Sequence, residues 1–179
     1  MPRKSILALL TGGDRRSTGR SDQVAAAVAA NPRLFPELVS GLWADDPLVC
    51  MRAADAAEKV TRETPALLHP YKKELLGLMA EAEQQELRWH LAAMVPRLPL
   101  NSRERQRAAA LLSGYLADRS SIVKTFALQG LADLAKDDPN LRTQVVELLR
   151  EATRSGTAAM KARSRNLLKQ MEGKVLGRR

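Results

Sequence analysis

Val49-Cys50-Met51-Arg52-Ala53-Ala54, Leu87-Arg88-Trp89-His90-Leu91-Ala92, Val123-Lys124-Thr125-Phe126-Ala127-Leu128 and Met160-Lys161-Ala162-Arg163-Ser164-Arg165 superimpose on one another. In each, a further apolar residue follows eleven positions after the first: Val60, Leu98, Leu134 and Met171. The starts lie 38, 36 and 37 residues apart. Self-similarity at this period is the mark of a helical-pair repeat, in which no hairpin buries its apolar face alone and neighbours must stack. Within the first two segments the apolar residues recur at i, i+4, i+7/8 and i+11, the spacing of one helix face. The expected fold class is therefore all-α, a right-handed α-α superhelix (solenoid) of about five helix pairs.

Working outward, the punctuation between segments fixes the helix starts. Asn31-Pro32, Asp46-Pro47, Thr64-Pro65 and Asp138-Pro139 each set a capping side chain before a proline. At that position the missing proline N–H costs nothing, and the preceding oxygen can accept a free one. Asn101 with Glu104 three residues on has the pattern of a capping box. These signals predict first helices near 33–43, 66–80, 102–117 and 140–153, and second helices near 47–62, 85–98, 121–136 and 158–171. A shorter, atypical pair is expected at 4–30, around a Gly- and Arg-rich connection. Pro70 and Pro96 fall inside predicted helices and should bend them. One repeat domain over 1–172 and a basic, frayed tail over 173–179 complete the expected organisation.

The pattern Asp45-Asp46-Pro47-Leu48-Val49, followed by Ala53 and Val60, resembles the HEAT repeat, as does Asp118-Arg119-Ser120-Ser121-Ile122-Val123-Lys124. The resemblance covers roughly 30–172, and more weakly 4–30. It implies an armadillo-like helical scaffold whose second helices line a concave binding face. It also implies a basic residue just after the first apolar one, a position held here by Arg88, Lys124 and Lys161 and departed from at Cys50. One HEAT-like branch, the bacterial alkylpurine DNA glycosylases, carries tryptophans and an aspartate on second helices. Trp89 matches the aromatic role. Ala93 stands one turn beyond it where the carboxylate is sought, and Asp55 lies on the preceding second helix.

Composition narrows the function classes. The apolar residues are mostly Leu, Ala and Val, with only six aromatics, which suits helix-on-helix packing. One cysteine, Cys50, excludes an internal disulfide, and two histidines, His69 and His90, offer no metal cluster, so neither metal nor cofactor is expected. No apolar run approaches membrane-spanning length. The run Ser5–Leu10 is too short for a signal peptide, so a cytoplasmic protein without a membrane partner is expected. The formal charge of +9 is concentrated at the ends: +4 over residues 1–20 and +7 over 154–179.

Several residue sets are candidates for contact with an anion. Arg88, Lys124 and Lys161 recur at one helical position. They form either a ladder tracking phosphates or a ladder of inter-repeat bonds to turn acids and carbonyls. Arg52, His90 and Arg163 share a second column with Phe126, where aromatic and guanidinium groups together suit nucleotide stacking. The alternative there is a semi-buried rim with snorkelling heads. Trp89 lies off the core stripe as a contact hot spot, whereas Trp43 reads as packing at a turn. In the loop Gly12–Arg20, the forked guanidinium groups of Arg15, Arg16 and Arg20 suit phosphate or carboxylate, unless the loop is merely solvated. Lys161, Arg165 and Lys169 repeat every four residues and make a stripe on the last helix. No catalytic constellation stands out. The expected function is a non-enzymatic binding module for an anionic partner, nucleic acid first, in monomeric form. The alternatives are a scaffold for an acidic protein and a glycosylase-like alkylation-repair protein. Six to eight neutralised phosphates would give a log affinity–log salt slope of roughly −5 to −7 on duplex DNA.

Overall fold

A computed structural model describes residues 5–14 and 16–176, with side chains as far as Gly173. The described residues are helical throughout, joined by turns, and contain no strand. Residues 177–179 of the expected tail lie outside the described residues, as does Arg15. The chain divides into two compact units, Met1–Pro99 and Leu100–Arg179.

The first unit opens with a short 3-10 helix, Ile6–Leu10, and the loop that leads to α1 (Ser21–Ala30). The predicted first helix near 33–43 is three short pieces: 3-10 turns Pro32–Leu34 and Gly41–Trp43 flank α2 (Phe35–Ser40). α3 (Pro47–Glu63) follows, with Asp46 Oδ1 accepting from Leu48 N at 2.9 Å. It is the centre of this unit, packing on both α1 and α5 (Gln85–Met94). Alanines 53, 54, 56 and 57 are buried along it, because small side chains let two helices approach from opposite sides. Neither Pro70 nor Pro96 lies inside an α-helix, where the sequence reading set them. Pro70 lies in a 3-10 segment, Pro65–Tyr71, that precedes α4 (Lys72–Glu81), and Pro96 lies in one, Val95–Arg97, that ends α5. Lacking the N–H for an i−4 bond, each tightens the local helix instead of only bending it. Asn31 and Thr64 make no side-chain cap bond. Each leads into a 3-10 turn, not an α-helix.

Among the described residues the second unit has four α-helices, α6 (Ser102–Tyr115), α7 (Ser121–Leu134), α8 (Pro139–Ser155) and α9 (Ala158–Leu176), with a 3-10 turn at Ala135–Asp137. The capping box at Asn101 and Glu104 forms in both directions, 2.9 Å each way. Asp138 caps α8 through Leu141 N at 3.0 Å. α7 packs on α6, α8 and α9, and its buried face joins Leu149, Leu167 and Met171 in the core of this unit. α9 runs on past Gly173, the start of the expected frayed tail.

Candidate functional site

α3, α5, α7 and α9 treat their charged residues in two ways. On α3, Arg52 is 2% exposed. Its guanidinium is enclosed by backbone carbonyls of the N-terminal segment. Nη1 donates to Leu10 O (2.8 Å) and Gly12 O (2.6 Å), Nη2 to Asp14 O (3.0 Å) and Nε to Ser17 O (3.2 Å). The loop bends around it through left-handed Gly12, Gly13 and Gly19. At Gly19, φ +56°, a Cβ would lie 2.8 Å from Arg52 Cζ. Arg52 is thus a clamp on the loop, and the sequence reading that set it on a binding rim is corrected.

His90 is also 2% exposed. Its Nδ1 faces Glu86 O at 2.6 Å, and its Nε2 lies 3.5 Å from Asp55 Oδ1. The ring borders a buried polar cluster rather than a groove, so the second expected rim residue is corrected as well. Asp55 itself accepts from Ser21 Oγ (2.5 Å) and Lys59 Nζ (2.6 Å), while Lys59 also reaches Asp22 (2.5 Å). Burial pushes the Asp55 carboxyl up. The nearby His90 ring, the hydrogen bonds from Lys59 and Ser21 and the Lys59 charge outweigh that and hold it well below the usual carboxylate range. One helical turn on, Glu58 is gripped by Arg97 and by Arg62 (2.5 Å), and Arg97 also donates to Glu58 O and Thr61 Oγ1. Burial opposes ionisation of Glu58, and the two guanidinium groups more than offset it, lowering its pKa. The first unit therefore commits its second-helix cations to its own acids and carbonyls.

Arg88 is half-buried and donates Nε to Ala82 O at 2.6 Å, a bond to a turn carbonyl. Trp89 is half-buried, its ring centroid 3.4 Å from that of its neighbour His90. Trp43 sits at the end of a 3-10 turn and is 47% exposed, so the reading of it as turn packing is corrected. Arg16 and Arg20 are exposed.

The second unit differs. It holds 16 Lys and Arg against 8 Asp and Glu, whereas the first holds 13 against 12. The side chains of Lys124, Lys161, Arg165 and Lys169 form no hydrogen bond or ion pair with any described residue, and Arg165 and Lys169 are exposed. Arg163 is half-buried, with its Cζ over the Phe126 ring at 5.7 Å and its Nη1 donating to Gln129 Oε1 at 2.8 Å. Gln129 Nε2 in turn donates to both oxygens of Asp133 at 3.2 Å. On the same face of α7, Ile122 is 55% exposed.

Gln129, Asp133 and Ile122 were not singled out from sequence. The signal for them was present: 122, 126, 129 and 133 recur at i, i+4, i+7 and i+11, one face of α7. Cys50 is buried, with Sγ 3.3 Å from Leu42 O. Burial, with Glu86 adding, pushes its thiol up to about 11. No group of three His, Cys, Asp or Glu able to hold a metal occurs among the described residues, and none of their helices is long and apolar enough to cross a membrane. Comparison of the chain with protein-family models, with curated proteins and with solved structures found no match.

Proposed function

We propose that the protein is a non-enzymatic binding module whose second unit engages a polyanion, specifically the phosphates of nucleic acid. The observation that carries this is the contrast between the cations of α3 and α5 and those of α7 and α9. Cations on α3 and in the turn after α5 are consumed by Asp22, Asp55, Glu58 and backbone carbonyls. Lys124, Lys161, Arg165 and Lys169 stand without acidic partners among the described residues. Such a surplus leaves counterions to be released when phosphates take their place.

Within each unit the hairpins are HEAT-like stacks. Support comes from contacts in equivalent register. His90, three residues after Leu87, faces Asp55, six after Val49; Arg163, three after Met160, bonds Gln129, six after Val123. The glycosylase alternative loses its support, because Asp55 is buried and already bonded to Ser21 and Lys59. Docking of an acidic protein keeps one specific observation in its favour, the exposed apolar side chain of Ile122 on the basic unit.

The test is binding of fluorescent oligonucleotides across a salt series, with poly-glutamate as competitor. The triple charge reversal Lys161→Glu, Arg165→Glu, Lys169→Glu should flatten the log affinity–log salt slope by roughly 2 to 3, near one for each phosphate no longer neutralised. Undetectable binding at low salt, or an unaltered slope in the triple variant, refutes the proposal. Poly-glutamate displacing oligonucleotide at equal charge concentration favours the protein-docking alternative.

A further inference from the structure

We infer that the face shared by α7 and α9 is a site for an unpaired nucleotide, with its base stacked on Arg163 and its phosphate drawn to the adjoining cations. The inference rests on the nucleic-acid reading above and adds which strand state is bound and where.

Arg163 is fixed in two ways. Phe126 lies under its guanidinium at 5.7 Å, and Gln129 Oε1 holds one of its N–H groups. Gln129 is itself anchored by two contacts to Asp133. A flat, charged group held against an aromatic ring is a stacking platform. Such a group suits stacking by an incoming base, and N–H donors beyond the one given to Gln129 suit a phosphate. Ile122, on the same face as Phe126, adds apolar surface at the open end.

At the other end, one turn along each helix, the face deepens into a cavity of about 280 Å³. Leu167, Met171 and Ala132 form its apolar floor, and Lys136, Arg142 and Gln170 its polar wall, with Asp133 shared between cavity and platform. Lys136 is paired to Asp133 at 2.6 Å, and Arg142 donates to Met171 O without a carboxylate partner among the described residues. Arg142 and Lys136 against Asp133 leave one net positive charge on the cavity lining, and Arg163 adds a second on the platform. That is the complement of a flat heterocycle carrying an anionic group.

The same column shows why the site belongs to the second unit. Its equivalents in the first unit are Arg52 and His90, both 2% exposed and facing backbone carbonyls or a buried carboxylate. Of the three, Arg163 alone keeps part of its side chain at the surface, half-buried with Phe126 beneath it. In a duplex the bases are already stacked and paired, and their faces cannot reach a guanidinium platform. Single strands offer them freely.

The experiment uses the full chain with single-stranded DNA, single-stranded RNA and duplex DNA of equal length at one salt concentration. The expected result is tighter binding of a single strand. Arg163→Lys keeps the charge but loses the plane, and it should weaken single-strand binding about tenfold while leaving duplex binding unchanged. Phe126→Leu should act in the same direction, with helix content checked by circular dichroism. Duplex binding as tight as single-strand binding, or a single-strand to duplex ratio that Arg163→Lys does not alter, overturns the inference while the polyanion reading stands. No binding to any of the three overturns both. Preference between the DNA and RNA arms identifies which strand supplies the nucleotide.

Discussion

Replacing Arg52 by methionine tests the clamp on the N-terminal loop. Methionine keeps most of the stem that packs in α3 and removes every donor. Four carbonyls are deprived of a charge-assisted partner: Leu10, Gly12, Asp14 and Ser17. A hydrogen bond to a charged group contributes about 1.5–3 kcal/mol net. Gly12, Asp14 and Ser17 are exposed and their carbonyls recover water, so these three belong at or below the low end. Leu10 is fully buried and its carbonyl carries the larger penalty. Removing a desolvated cation offsets part of the loss. The net expectation is a destabilisation of about 3 kcal/mol, or a fall in Tm of roughly 6–12 °C for a chain of this size. The loop should also open. Trypsin, slow at Arg16 and Arg20 while their backbone is held, should cut there at least tenfold faster in Arg52→Met. Gly19→Ala reaches the same clamp from the other side, through its positive φ and its collision with Arg52 Cζ. It should reproduce the faster cleavage. A variant with unchanged Tm and unchanged trypsin kinetics at both sites would show that the carbonyl cage holds nothing.

Further outcomes concern the buried polar groups. The Asp55 carboxyl is held below its unfolded value, near 3.9, so its contribution is present above about pH 4 and is lost as pH falls further. Asp55→Asn should lower stability at pH 7 and flatten the acid limb of the stability–pH curve; an identical acid limb in the two proteins contradicts the assignment. Glu58→Gln leaves Arg97 facing a neutral partner and should cost about 3 kcal/mol, read as a lower denaturation midpoint at constant m-value, with no change indicating that the pair is dispensable. Cys50, its thiol raised to about 11, should resist iodoacetamide at pH 8 in the folded protein and react promptly in denaturant, whereas fast labelling of the native chain would place it at the surface.

The helical class and the starts of α3, α5, α7 and α9 were legible because each rests on local chemistry. A cap, a missing N–H and an apolar face at 3.6-residue spacing act within a turn or two of where they are written. The roles of individual charges were not legible for the opposite reason. Arg52 and Arg163 occupy the same position in their repeats, and the sequence treats them alike. What separates them is a carbonyl cage contributed by residues 35 to 42 positions earlier in one case, and a phenylalanine and a glutamine from the preceding hairpin in the other. Backbone carbonyls leave no mark in a sequence, so a cation they absorb reads as free. His90 was misplaced in the same way, its neighbours being a main-chain oxygen and an aspartate one repeat away. Trp43 erred in the other direction, because a helix broken into 3-10 pieces no longer presents the face that an unbroken helix would.

The cage around Arg52 also governs how this chain can be shortened or varied. A truncation that begins at Ser21 looks harmless, since it removes only a brief 3-10 turn and an exposed loop. It would strip every oxygen from a buried guanidinium on α3 and leave that charge with nothing to face. The glycine-bearing arm and the arginine are one cooperative part. Kin of this chain should keep both or discard both, and an arginine at this position without the arm would mark a protein that has found another way to neutralise it.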